Sequence, residues 1–349
     1  MSGAGMGGIE MSGAAPAGAP ALPEAVRALA DGDFSVIARR FAGAGFAVAQ
    51  PAPGMLQVKA ADVAAGGAAR ASVLVSVGVH GDETGPLEVL AHLLDALSLQ
   101  PSALAVDLLL CVGNLAAIRH GRRFIDADLN RMFRSERGAL GSAAEAPRAD
   151  AMIAATQAFF AGAGPRRWHL DLHAAIRPSL YPTFAIVPEL IGAEARAALI
   201  SWLGQAAIGA IVMNRSSAGT YSYYSAQHCG AAASTVELGR VGVLGENDLS
   251  LFADVALALD GLLRGAATRA ARGAPHIFFV AQEIIKLSED FRMAFDAGTH
   301  NFTALPAGAV IATDGATVYT VRHAEELVLF PNPDVRVGLR AALMVVRQS

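Results

Sequence analysis

Cysteine occurs twice in 349 residues, at Cys111 and Cys229, far apart and with no CxxC. Such a pair builds neither a cysteine metal site nor a disulfide framework, and its apolar or small-residue surroundings predict buried free thiols. Lysine is as scarce: Lys59 and Lys286 are the only two, so arginine carries nearly all the positive charge. A GC-rich genome produces that bias, but every cationic site must then use the planar guanidinium fork, which suits carboxylates and phosphates. There is no basic run and the net charge is −4, which argues against a nucleic-acid partner. No window holds the roughly 18 uninterrupted apolar residues of a membrane-spanning helix. GxxxxGK[ST] and GxSxG are absent, which removes the phosphate-cradling loop and the serine nucleophile elbow. Gly3, Gly5 and Gly8 spell GxGxxG, but no strand is predicted before them and no helix after. The N-terminal stretch lacks a basic segment and a long apolar segment, so no secretory signal is expected, and the expected compartment is the reducing cytoplasm.

What is present is a core-forming composition, 53% hydrophobic and 17% charged. A chain of this length is expected to form one large α/β domain and a smaller one. Residues 1–22, rich in Gly, Ala and Pro, read as a disordered tail. From 23 to 274 helical and strand patterns alternate, which predicts a central, mostly parallel sheet covered by helices on both faces. The runs "ASVLVSVGVH" and "ALAVDLLLCVG" have the continuous apolar texture of buried strands. Past "ARGAPHIF" short strands and turns take over, with Asp314-Gly315 as a hairpin signal, so residues 275–349 are expected to form a β-rich C-terminal domain.

Ligand crevices in open α/β sheets lie at the carboxyl ends of strands, and three polar clusters fall at such ends. The first is "HGDE". His80 and Glu83 can turn toward one point as the chain enters a helix, and an imidazole with a carboxylate suits zinc. Gly78 and Gly81 give the backbone room to make that turn. Hydrogen bonding within a polar loop would use the same residues. The second is "RWHLDLHAA", where His169, Asp171 and His173 share one face of a strand. A metal backed by a carboxylate would satisfy them; His173 at the exit is the better ligand, and His169, deeper in, reads as a hydrogen-bonded core histidine. The third is "STVELG". Glu237, between Val236 and Leu238, is expected to have a raised pKa and to suit a general base, although a structural ion pair would account for it as well. An arginine loop, "GRRFIDADLNRMFR", offers Arg122, Arg123, Arg131 and Arg134 for bidentate carboxylate recognition or oxyanion stabilisation. Surface charge is the competing reading for Arg122 and Arg134.

Taken in order, "GVHGDETGP", "DLNRMF", "RWHLDLHAAIRPSLY", "STVELG", "ENDLSLFA", "IIKLSEDFRM", "NFTALPAGAVIATDG" and "LFPNPDVRVGLRAALM" resemble the succinylglutamate desuccinylases, in the aspartoacylase branch of the zinc carboxypeptidase-like family. The resemblance runs from about residue 34 to the C-terminus and leaves the tail outside. It implies a zinc carboxypeptidase-like mixed α/β sheet and a C-terminal β domain. It implies one zinc per subunit on His80, Glu83 and His173, with Glu237 as the catalytic glutamate. Asn130 and Arg131 match the substrate-carboxylate pair, and Arg123 the carbonyl-polarising arginine. The implied reaction is hydrolysis of N-succinyl-L-glutamate to succinate and glutamate, the last step of arginine catabolism by the succinyltransferase route. The expected partner is thus a small dicarboxylate amide. Phe124 stands where aspartoacylases place a tyrosine, so the role of that hydroxyl is absent. Arg177, in "AIRPS", belongs to the desuccinylase pattern and is expected to bind one of the substrate's three carboxylates. Hydrolysis of another N-acyl amino acid, such as N-acetylaspartate, is the alternative within the family.

Overall fold

The computed structural model describes residues 21–60, 70–266, 271, 273–296 and 298–348. All but the last two residues of the expected N-terminal tail lie outside them. The helices are α1 (Glu24–Asp31), α2 (Ser35–Gly43), α3 (Thr84–Ser98), α4 (Leu115–Arg119), α5 (Ala146–Ala161), α6 (Ala193–Gln205), α7 (Tyr221–Cys229) and α8 (Ala253–Arg264). The strands up to residue 274 are β1 (Phe46–Ala49), β2 (Met55–Ala60), β3 (Ser72–Val77), β4 (Asp107–Val112), β5 (Arg167–Ala175), β6 (Thr183–Pro188), β7 (Ala210–Asn214) and β8 (Ala232–Arg240). Beyond it come β9 (His276–Ile285), β10 (Arg292–Met293), β11 (Thr303–Pro306), β12 (Val310–Asp314), β13 (Thr317–Thr320), β14 (Glu325–Leu329) and β15 (Arg340–Arg347).

The expected α/β architecture is present. A twelve-stranded mixed sheet runs β1-β2-β4-β3-β5-β8-β6-β7-β9-β15-β14-β11, and β10-β12-β13 form a second, antiparallel sheet. Its centre is parallel across β4-β3-β5-β8, and β6-β7-β9 are parallel again. Every residue of β3 is buried, as its unbroken apolar run requires of a strand covered on both faces. The expected break near residue 274 coincides with the loop before β9, yet β9 pairs in parallel with β7. The sheet is continuous across that point because β9 occupies the edge that β7 would otherwise leave unpaired. The main core packs around β2–β5 and the helices against them, and two smaller apolar clusters lie under the C-terminal strands. Both cysteines are buried and free, as expected.

α7 was not legible in the sequence. Its segment "YSYYSAQHC" is made mostly of residues with weak helix propensity. Most of its residues are buried against β5, β8 and α5, so tertiary packing makes the helix.

Candidate metal centre and substrate cavity

Strand β3 ends at Val77, and the chain turns through His80 before α3 begins at Thr84. Two glycines make the turn possible. Gly78 has φ +63°, a conformation that side-chain-bearing residues rarely adopt. Gly81 lies so close to α4 that a Cβ there would sit 2.2 Å from the Ala117 carbonyl carbon and 2.3 Å from the Ile118 nitrogen. The turn delivers Glu83, the residue preceding α3, next to the carboxyl end of β5. There its carboxylate gathers four donors. Oε1 accepts from His80 Nδ1 at 2.7 Å and from Arg123 Nη1 at 2.9 Å; Oε2 accepts from His173 Nδ1 at 2.8 Å and from the Ala174 amide at 3.1 Å. His80, Glu83 and His173 are all buried, and their ligating atoms lie within 4.8 Å of one another. Two imidazoles and one carboxylate converging on one point, with no fourth histidine, cysteine or carboxylate among the described residues joining them, match a metal centre that keeps a position open.

Each imidazole is oriented from behind. His173 Nε2 donates to Asp171 Oδ2 at 3.0 Å, and Asp171 Oδ1 accepts from Ser76 Oγ at 2.6 Å. His80 Nε2 donates to Asp128 Oδ1 at 2.9 Å. Carboxylates in these places leave both Nδ1 atoms facing the shared centre. Burial works against a proton on His173, but Asp171 and Glu83 outweigh it and hold its pKa well above the ordinary histidine value. His80 is raised in the same way: burial and Arg123 oppose the proton, and Glu83 and Asp128 prevail. Burial also opposes ionisation of Glu83, but the two histidines hold it well below the usual carboxylate range. A ligand set that keeps a compensated buried charge without an ion is suited to exchanging protons for a cation.

On β5 the structure separates the two histidines by depth, as the sequence pattern anticipates for His169. His169 is a core histidine: its Nε2 lies 2.9 Å from Ser76 Oγ and its Nδ1 2.7 Å from Ser225 Oγ on α7. Burial pushes its pKa down to about 4, with Asp171 opposing, so it stays neutral. Asp82 is not in the group of candidate ligands; its Oδ1 is buried without a hydrogen bond among the described residues. Two contributors were missed. Asp128 lies within "DLNRMF", but the three-residue turn that follows it gives no sign of its reach to His80. Glu145, at the start of α5, accepts from the amides of Ile125, Asp126 and Ala127, which pins the loop carrying Arg123 and Asp128. Nothing in local spacing signals either partner, since both contacts join segments 18 to 48 residues apart.

Glu237 lies on β8 directly across from His173 on β5. It is buried, and its Oε2 has no hydrogen-bond partner among the described residues. Burial, reinforced by Glu83, pushes its pKa up to about 7 against the pull of His173, His80 and Arg123. The cavity in front of these residues has a volume of about 590 Å³, within the range of small-molecule sites. Its wall includes Asn130, Arg131 and Arg177, and also Arg240, Arg336 and Arg340. Asn130 Oδ1 accepts the Tyr221 amide at 2.9 Å, which ties α7 to the arginine loop. Arg131 Nη1 donates to the Asn130 carbonyl at 2.7 Å, and its Nη2 lies 3.9 Å from Asp128 Oδ2. Arg177 lines the mouth and donates to the Asp296 carbonyl at 2.6 Å. Arg122 is exposed, and neither it nor Arg134 lines the cavity. Six arginines face four acidic residues across this wall, and two of those acids are already engaged by His80 and His173, so the cavity favours an anionic ligand.

Residues 69–262 match the model of the succinylglutamate desuccinylase/aspartoacylase catalytic domain, and residues 273–348 that of the AstE/AspA barrel-sandwich hybrid domain. The chain belongs to the succinylglutamate desuccinylase/aspartoacylase family. It is thus an enzyme of a hydrolase family. Among curated relatives, a succinylglutamate desuccinylase of Burkholderia orbicola is 45% identical, over 81% of this chain and 83% of its own. One of Burkholderia lata is 44% identical, over 84% of each. Among solved structures, succinylglutamate desuccinylase of Vibrio parahaemolyticus superposes with a TM-score of 0.80 at 31% identity, covering 87% of this chain and 89% of that one. The Chromobacterium violaceum enzyme gives 0.75 at 34%, covering 90% and 98%. The family assignment agrees with the resemblance drawn from the motifs. Among the described residues, no helix is long and apolar enough to cross a membrane.

Proposed function

We propose that the protein hydrolyses the amide of N-succinyl-L-glutamate to succinate and L-glutamate, with one zinc ion per subunit held by His80, Glu83 and His173, as the last step of arginine catabolism by the succinyltransferase route. The observation that carries the reading is the convergence of this ligand set with unpartnered Glu237 Oε2 at the floor of an arginine-lined cavity. The relatives' names support the substrate. When bound, the ion supplies Lewis-acid polarisation and lowers the pKa of a water toward about 7. Glu237 takes the proton of the attacking water and delivers it to the departing amine nitrogen, a relay its raised pKa suits. Arg123 donates to the carbonyl oxygen as negative charge develops on it. Asn130 and Arg131 hold one substrate carboxylate and Arg177 another. Residues 23–274 form the catalytic unit in this proposal, and the β-rich unit of 275–349 completes the cavity wall.

The test is metal analysis of the purified protein together with turnover of N-succinylglutamate, N-succinylarginine and N-acetylaspartate. The proposal expects close to one zinc per chain and a clear preference for N-succinylglutamate. Preference for N-acetylaspartate would reassign the substrate, and full turnover after complete chelation would refute the metal role.

A further inference from the structure

Arg340 opens β15, and its side chain is only 13% exposed, yet it lines the cavity. Its nearest carboxylate is Glu283 on β9, with Nη1 to Oε1 at 3.6 Å. That is an ion pair too long for a hydrogen bond, and Nη1 is buried with no hydrogen-bond partner among the described residues. The same Glu283 oxygen is engaged by the Ser216 hydroxyl. Arg340 is also close enough to Arg131 to be disfavoured by it: burial and Arg131 together push its pKa down to about 10. Arg131 is itself only loosely compensated, 3.9 Å from Asp128. Two guanidinium groups facing one cavity, neither hydrogen-bonded to a carboxylate among the described residues, form a site only loosely compensated by negative charge.

The order of charges outward from the metal ligands says which part of a substrate reaches Arg340. His80 contacts Asp128, Asp128 neighbours Arg131, Arg131 acts on Arg340, and Glu283 lies beyond. With the scissile amide at the metal ligands, the glutamate α-carboxylate is one carbon from the amide nitrogen and falls first, at Asn130 and Arg131. The γ-carboxylate is two carbons further out and falls next. We propose that Arg340 is a specificity-determining residue that binds the γ-carboxylate of the glutamyl moiety, so that the C-terminal β-rich segment selects which amino acid the enzyme releases. This inference rests on the proposed hydrolysis of N-succinyl-L-glutamate.

The experiment compares the zinc-loaded wild type with Arg340→Gln on N-succinyl-L-glutamate and on N-succinyl-L-glutamine, which differs only in lacking that charge. A lost hydrogen-bonded charge contact predicts a KM for the glutamate substrate raised at least about tenfold, with kcat within about threefold. The KM for the glutamine substrate moves by less than about threefold, so the wild-type preference collapses. Arg340→Lys, which keeps the charge without the fork, recovers part of the loss and carries the test if the glutamine variant does not fold. An equal rise on both substrates, no rise on either, or a loss confined to kcat overturns the proposal. If the wild type turns over neither substrate, the functional reading fails. Calorimetric binding of L-glutamate and L-glutamine then judges Arg340 separately: the wild type must favour L-glutamate and the variant must not.

Discussion

Asp171→Asn is a change of one atom at a residue with no exposed surface, and the structure says why it matters. Both oxygens of Asp171 accept: Oδ1 from Ser76 and Oδ2 from His173 Nε2. An amide offers one acceptor and one donor. If its NH₂ faces Ser76, that hydroxyl loses its acceptor inside the core. If it faces His173, the ring must turn Nε2 into an acceptor and carry its proton on Nδ1, the atom that points at the metal centre. Loss of such a partner weakens metal binding by about 10–100-fold, or roughly 1.4–2.7 kcal/mol. A competition titration of the metal-free protein against a chromophoric zinc chelator measures it. Asp171 also raises the His173 pKa, so the wild type must shed a proton to bind the ion. That competition fades as pH rises, and the gap between wild type and variant therefore widens between about pH 7 and about pH 9. A folded Asp171→Asn protein whose zinc affinity stays within about threefold of wild type at both pH values would refute the reasoning.

Glu237→Gln is expected to retain its zinc and its unfolding midpoint while kcat falls by about 10²–10⁴-fold; near-wild-type turnover in a single-turnover assay would remove Glu237 from the mechanism. In Gly81→Ala the new Cβ meets α4 backbone atoms that cannot step aside. We expect about 3 kcal/mol or more of destabilisation in thermal or denaturant unfolding, and a midpoint unchanged from wild type would mean the turn can move. His169 has a folded pKa of about 4 against 6.5 for the ordinary group. The unfolded chain therefore binds the extra proton between those values, so this contribution is complete above pH 6.5 and is lost as pH falls toward 4. It amounts to about 3 kcal/mol, read as the pH-dependent stability difference between wild type and His169→Asn, in which His80 and His173 cancel. A difference that does not change across that window would show that His169 is not held neutral.

Much of the centre was legible because its geometry is local. The apolar run of β3 specifies a strand buried on both faces, and the glycines around His80 specify a turn into a helix, so His80 and Glu83 had to emerge together. The period of a strand put His169, Asp171 and His173 on one face, and depth along it separated the core histidine from the candidate ligand. Asp128 and Glu145 were not legible: α3 and β4 separate Asp128 from His80 in the chain, and Glu145 reaches back over 18 residues of loop and short turns to the Ala127 amide. α7 was hidden for a related reason: its residues have little helical preference of their own, and it forms where β5, β8 and α5 bury it.

The arginine-rich wall of the cavity divides along the same line. The sequence alone determines that recognition must use guanidinium groups, since there are two lysines in the chain, and it places Arg123, Asn130 and Arg131 in one loop. Only the tertiary structure brings Arg340 beside Arg131, 209 positions earlier, because β9 continues the sheet from β7 and β15 pairs back onto β9. Side-chain period and turn chemistry act over a few residues and can be read from order. The field in a cavity sums over every charge that folding gathers there, and sequence distance does not constrain that sum.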